Sequence, residues 1–155
     1  MLSASVWYED VAIPIENDDW RALIPREAVG RVACTIAALP AVIPVVFRVD
    51  GDKLMLVAPQ GWRVRDALDG TVVALEISIE TPVDRRCWSI LLVGPASIVG
   101  PGDVDAAGAF RGLDPHGYLV RLRPEIASAR PVPTTAPPGG APAPAIPDGG
   151  SVRLR

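Results

Sequence analysis

The side chains that do chemistry in proteins are scarce in this sequence. One histidine, His116, one lysine, Lys53, and two cysteines, Cys34 and Cys87, are all that its 155 residues hold of those types. A zinc site of the His/Cys kind needs about three or four such ligands, so zinc enzymology is excluded and no metal is expected. Ser/His/Asp catalysis would rest on His116 alone, in the turn-like Asp114-Pro115-His116-Gly117, and no Gly-x-Ser-x-Gly elbow exists. The Gly-x-x-x-x-Gly-Lys-Ser/Thr loop that cradles phosphates is also missing. No catalytic acid or base stands out. If the chain is an enzyme, a bound cofactor carries its chemistry.

Fifteen Lys plus Arg against eighteen Asp plus Glu leave a net charge of -3, with the cations scattered singly or in pairs. A phosphate backbone wants a basic face, so no nucleic-acid partner is expected. Two cysteines cannot frame a multi-bridge fold, and they read as reduced thiols buried as small hydrophobes. Charge or proline breaks every apolar run well short of the roughly 20 residues that span a bilayer. The opening segment MLSASVWYEDVAIPIEND is acidic rather than basic. The expectation is a cytoplasmic protein with neither membrane span nor signal peptide.

Any site must be positioned by elements that read mostly as half-buried strands, because period-two alternation dominates. In residues 31–39, Val32, Cys34 and Ile36 point one way and Arg31, Ala33 and Thr35 the other. The run AVIPVVFRV (41–49) meets KLMLVA (53–58) through Asp50-Gly51-Asp52, a hairpin signal because glycine supplies the positive φ of a tight turn. Pro44 has no N–H for a ladder, so its strand should be an edge, bulged or interrupted there. From Trp62 to Gly70, the helical spacing of Val64, Ala67 and Leu68 predicts about two turns of helix stopped by Gly70. In residues 71–80, Val73, Leu75, Ile77 and Ile79 share one face and Glu76, Ser78 and Glu80 the other. Residues 86–100 read as a strand pair or a strand bent at Gly94-Pro95, 104–111 as helical or irregular, and 117–126 as strand. Asn17 is placed to cap a short helix over 18–23, with Asp18 and Asp19 in its first turn.

About six strands in meander order with two or three short helices make a mainly β protein, a small antiparallel barrel with helices plugging its ends. Residues 1–15 read as an N-terminal arm and 16–130 as one domain, for which 49% hydrophobic and 21% charged residues supply a core. The last 25 residues, 131–155, hold seven of the seventeen prolines and read as a disordered or polyproline-like tail. A plain flexible tail is the stronger reading of it than a ligand for a proline-recognising groove.

The ordered runs Ala28-Val29-Gly30-Arg31-Val32-Ala33, Ala41 to Phe47, Asp50-Gly51-Asp52, Gly61-Trp62-Arg63-Val64, Trp88-Ser89-Ile90 and Tyr118 to Pro124 resemble the layout of the pyridoxamine 5′-phosphate oxidase-like proteins. The likeness covers about residues 16 to 130 and rests on order and spacing rather than on one motif. It implies a split β-barrel that dimerises, with FMN, or in some branches the deazaflavin F420 or haem, held between the two subunits. Carried over position by position, it implies that Val45, Val46 and Phe47 line the flavin and that Val57 and Ala58 sit beside the ribityl chain. Gly61, Trp62 and Arg63 would meet the phosphate, and Trp88 and Ser89 would lie near the ring.

The departures from the family pattern are as informative. Flavin-binding relatives usually show a polar residue at Val46, Arg-Thr at Val57-Ala58, Ser-Lys at Trp62-Arg63 and Arg at Val93. A buried phosphate needs charged or N–H partners, each contributing about 1.5 to 3 kcal/mol, so their loss weakens FMN binding by orders of magnitude. Arg63, with Arg65 two residues on, is the cationic remnant, and the start of the helix favours an anion. Each residue also has a plainer reading. Arg63 suits a solvated helix charge, Arg65 an i to i+4 pair with Asp69, Trp62 and Trp88 a core or dimer interface, and Asp84-Arg85-Arg86 a solvated loop.

Two functions compete. One is an FMN- or F420-dependent oxidoreductase whose cofactor ring transfers hydride, for which Arg63→Ala should weaken cofactor binding at least about tenfold. The other is a non-catalytic dimeric split barrel that has lost flavin binding and holds another small ligand or a protein partner. Haem lacks an axial residue beyond His116. Both readings need a homodimer, with the strand faces around Val73 to Ile79 and Ile90 to Val93 as the apolar surface to be covered.

Overall fold

The computed structural model describes residues 12–82, 85–100 and 117–133. Residues 1–11 of the arm, Asp84, the 104–111 stretch, His116 and the tail from 134 onward lie outside the described residues. The described elements are β1 (Ile13–Pro14), α1 (Trp20–Leu23), β2 (Glu27–Ile36), β3 (Leu39–Asp50), β4 (Lys53–Ala58), α2 (Trp62–Leu68), β5 (Thr71–Glu80), β6 (Cys87–Ile98), β7 (Tyr118–Leu122) and β8 (Ile126–Pro131). All pairings are antiparallel. The strands run in the order β1-β8-β6-β5-β2-β3-β4-β7, and a further pairing of β6 with β7 closes six of them into a barrel. β8 and then β1 extend the sheet from β6. The mainly β barrel expected from the alternation is therefore present, with the arm residues Ile13 and Pro14 paired to β8.

Alternation decides what fills the barrel. Val32, Val45, Phe47, Leu54, Leu56, Leu75, Ile77, Ile90, Leu92, Val120 and Leu122 all point inward and are buried, joined by Trp20 of α1 and Leu68 of α2. At about 1.5 to 3 kcal/mol for each fully buried large side chain, this set dominates the stability. No polar or charged side chain is buried among the described residues.

Three features differ from the sequence reading, and the edge expected at Pro44 is present. The run 31–39 is not one strand, because Ala37 and Ala38 adopt φ of 50 and 62° and turn the chain back into β3. β3 passes Pro44 without a bulge, opposite Arg31, and its residues before Val46 have β2 alone as a ladder partner. That leaves Pro44 on an edge, where its missing N–H costs nothing. Asn17, the expected cap, has a φ of 53°, and Asp19 takes the N-cap place of α1 without a side-chain hydrogen bond.

The third difference lies in β6, which is one strand that changes partner at Gly94-Pro95. Residues 88–93 pair with β8 and residues 96–98 with β7. The chain crosses from β7 to β8 directly over Gly94, where a Cβ would lie 1.8 Å from the carbonyl oxygen of Arg123. Only glycine admits that crossing, so Gly94 lets one strand close the barrel and also carry β8. It also explains why the 117–126 run divides into β7 and β8.

Candidate functional site

β3, β4 and α2 carry most of the residues singled out above, and alternation splits them into two sets. Val45, Phe47 and Ala58 point into the barrel and are buried. A ligand outside would meet only their backbone. Val46 and Val57 point outward and are direct cross-strand partners. The register continues the row on both sides, with Val29 of β2 opposite Val46 and Leu119 of β7 opposite Val57. Four strands thus lay Val29, Val46, Val57 and Leu119 side by side on the outer surface. Val29 is 64% exposed and the other three are half-buried.

The neighbouring row is Glu27, Arg48, Met55, Arg121 and Ser97. Arg48 pairs with Glu27 at 2.6 Å, and Met55 is buried in the place between the two arginines. Beyond β4 the chain turns through Gly61, at φ 151°, into α2. Trp62 is 68% exposed, and the Arg63 guanidinium lies 5.0 Å from the centroid of its indole ring. Such an exposed cation–π contact contributes about 0.5 to 1 kcal/mol. Asp69, expected to pair with Arg65, instead turns its Oδ1 to the Ile98 N–H at 2.9 Å.

Trp88 and Ser89 go elsewhere. Trp88 is half-buried and packs against the core from the inner face of β6. Ser89 faces outward and donates to Glu76 Oε1 at 2.9 Å. Ser78 donates to the same oxygen at 2.9 Å, and Arg31 Nη1 lies 3.4 Å from Oε2. This cluster was not singled out as a site in the sequence, although the shared outward face of Glu76 and Ser78 was its signal. Arg31 is two residues from Val29, so the cluster borders the apolar row without joining it.

Burial pushes the Cys34 thiol above its ordinary pKa. Among the described residues no group of three or more His, Cys, Asp or Glu is arranged to hold a metal ion, and no helix is long and apolar enough to cross a membrane. Among the described residues, surface depressions of about 220 Å³ lie against Ser97, Arg121 and Arg123 and against Asn17, Trp20 and Glu125. Neither includes the apolar row.

Residues 16–131 match the family model described as pyridoxamine 5′-phosphate oxidase. The chain belongs to this family. No curated protein matches it. Among solved structures it is similar to the flavocytochrome Anf3 from Azotobacter vinelandii, with TM-score 0.61, 15% identity, and 98% of this chain and 92% of that one covered. It is also similar to the FAD-binding protein from Mycobacterium smegmatis, with TM-score 0.56, 17% identity, and 79% and 99% covered. A FAD-binding protein from Mesorhizobium loti has TM-score 0.57, 16% identity, and 78% and 96% covered. At these identities the likenesses establish the fold.

The row tests whether a flavin suits this family member. Across four strands spaced at about 4.8 Å it forms an apolar strip roughly 14 Å long, enough to lie along a tricyclic ring. Ribityl hydroxyls and a phosphate need hydrogen-bond donors, acceptors and cations. Val29, Val46, Val57 and Leu119 supply none from their side chains, and Arg63 stands in solvent on Trp62. The row matches a tricyclic ring in length, and its side chains offer no partner to a phosphate.

Proposed function

We propose that the chain is a flavin- or deazaflavin-dependent oxidoreductase that acts as a homodimer and holds its cofactor ring against the outward row of Val29, Val46, Val57 and Leu119. The observation that carries this reading is that row, a part-exposed apolar strip drawn from four strands of the barrel. When bound, the ring would supply hydride transfer. The chain's own residues bind and orient it. The row keeps water from one face, Trp62 offers an exposed aromatic surface, and Arg63 is the cation that opens α2. FAD-binding and flavocytochrome structures among its fold neighbours support a flavin in general terms.

The test is a titration of FMN and of F420 with the purified protein, read by the visible absorption band and by fluorescence. A shifted band and altered emission that Val46→Glu and Val57→Glu weaken at least tenfold support the reading. An unchanged spectrum with both cofactors refutes it and favours the second reading, a non-catalytic split barrel that binds an apolar ligand or a protein. The lack of donors along the row is the observation behind that alternative.

A further inference from the structure

We infer that this protein selects its ligand by the ring and hardly reads a 5′-phosphate, so that riboflavin binds nearly as well as FMN. The inference rests on the flavin reading above and specifies what the site discriminates. Three observations carry it. The side chains facing outward at the centre of the row, Val46 and Val57, are apolar and directly paired, so neither offers a hydroxyl or a guanidinium to a ligand. Of the other positions that the resemblance carries to the flavin, Val45, Phe47 and Ala58 turn their side chains into the core and leave only backbone outside.

The third observation concerns the cations. Arg48, one row away, already pairs with Glu27 at 2.6 Å, and Lys53 lies 3.6 Å from Asp50. Arg63 is exposed and stacked over an exposed indole. An exposed ion pair is worth at most about 1 kcal/mol, or fivefold in affinity, because solvent screens it. A phosphate held by three or four charge-assisted bonds would instead favour FMN by a thousandfold or more.

Equilibrium titrations of the full chain with riboflavin and with FMN, followed by flavin fluorescence at low salt, decide the matter. The expected result is an FMN preference below tenfold, which Arg63→Ala narrows further. A preference of tenfold or more overturns the inference but leaves the flavin reading standing. Failure of both flavins to bind overturns the flavin reading and the inference with it. Arg63 lies on the exposed face of α2, so its replacement does not threaten the fold, and circular dichroism of the variant verifies this.

Discussion

Arg63 opens α2 in solvent, with its guanidinium over Trp62, and that setting resizes what the residue can do. The resemblance alone implies a tenfold or larger loss on removing it, the worth of one desolvated charge-assisted contact. Screening reduces the expectation for Arg63→Ala to at most about fivefold in FMN affinity, measured by titration at low salt. Gly94 shows the opposite case, a residue with no chemistry and a large structural role. A Cβ there meets the Arg123 carbonyl at 1.8 Å, an atom of the backbone that cannot rotate away. Gly94→Ala should cost about 3 kcal/mol or more in urea unfolding, at or above the upper end of overpacking penalties. The sequence marked Gly94-Pro95 as a bend, whereas the crossing segment that makes glycine obligatory is residues 123–125, the link from β7 to β8, far along the chain.

At the scale of elements, the β2–β3 hairpin turns on two alanines with positive φ. A non-glycine residue in the left-handed region costs roughly 1 to 2 kcal/mol, and two-residue hairpin turns favour Asn-Gly for that reason. The double change Ala37→Asn with Ala38→Gly should therefore stabilise the protein by about 1 kcal/mol and raise Tm by a few degrees in calorimetry. The turn was illegible in the sequence because alanine carries no turn signal, and the alternation runs through it unbroken. By contrast the Asp50-Gly51-Asp52 turn and the helix from Trp62 to Leu68 were legible, since glycine at φ 63° and helical spacing are local properties.

At the scale of the whole molecule, the strands expected to carry the dimer surface divide their residues between the core and the outside. Val73, Leu75, Ile77, Ile90 and Leu92 fill the core. On the outside, Val93 and Ala74 belong to an apolar row across five strands, Ile126, Val93, Ala74, Ala33 and Val42, joined by register. Its ends, Val42 and Ile126, are both 65% exposed. With the homodimer as our proposal, Val42→Arg combined with Ile126→Arg should shift the protein to monomer in light scattering, because each charge would have to be buried unpaired. A dimer that persists in the double variant would move the interface elsewhere.

Sequence by itself determined which side chains share a face where the alternation is clean, hence that Glu76 and Ser78 stand opposite Leu75 and Ile77, and Arg31 opposite Val32. Side-chain alternation along a strand depends only on the local pleat, so it can be read without knowing any neighbour. Only the tertiary structure decided that Val29 and Leu119, at opposite ends of the domain, lie in one row with Val46 and Val57. It also separated Ser89 and Trp88 from that row. Register is a property of strand pairing, set by the closure of the barrel through β6 and β7, and a slip of one residue would turn each outward side chain inward. The candidate site is made of register, which no single stretch of this sequence contains.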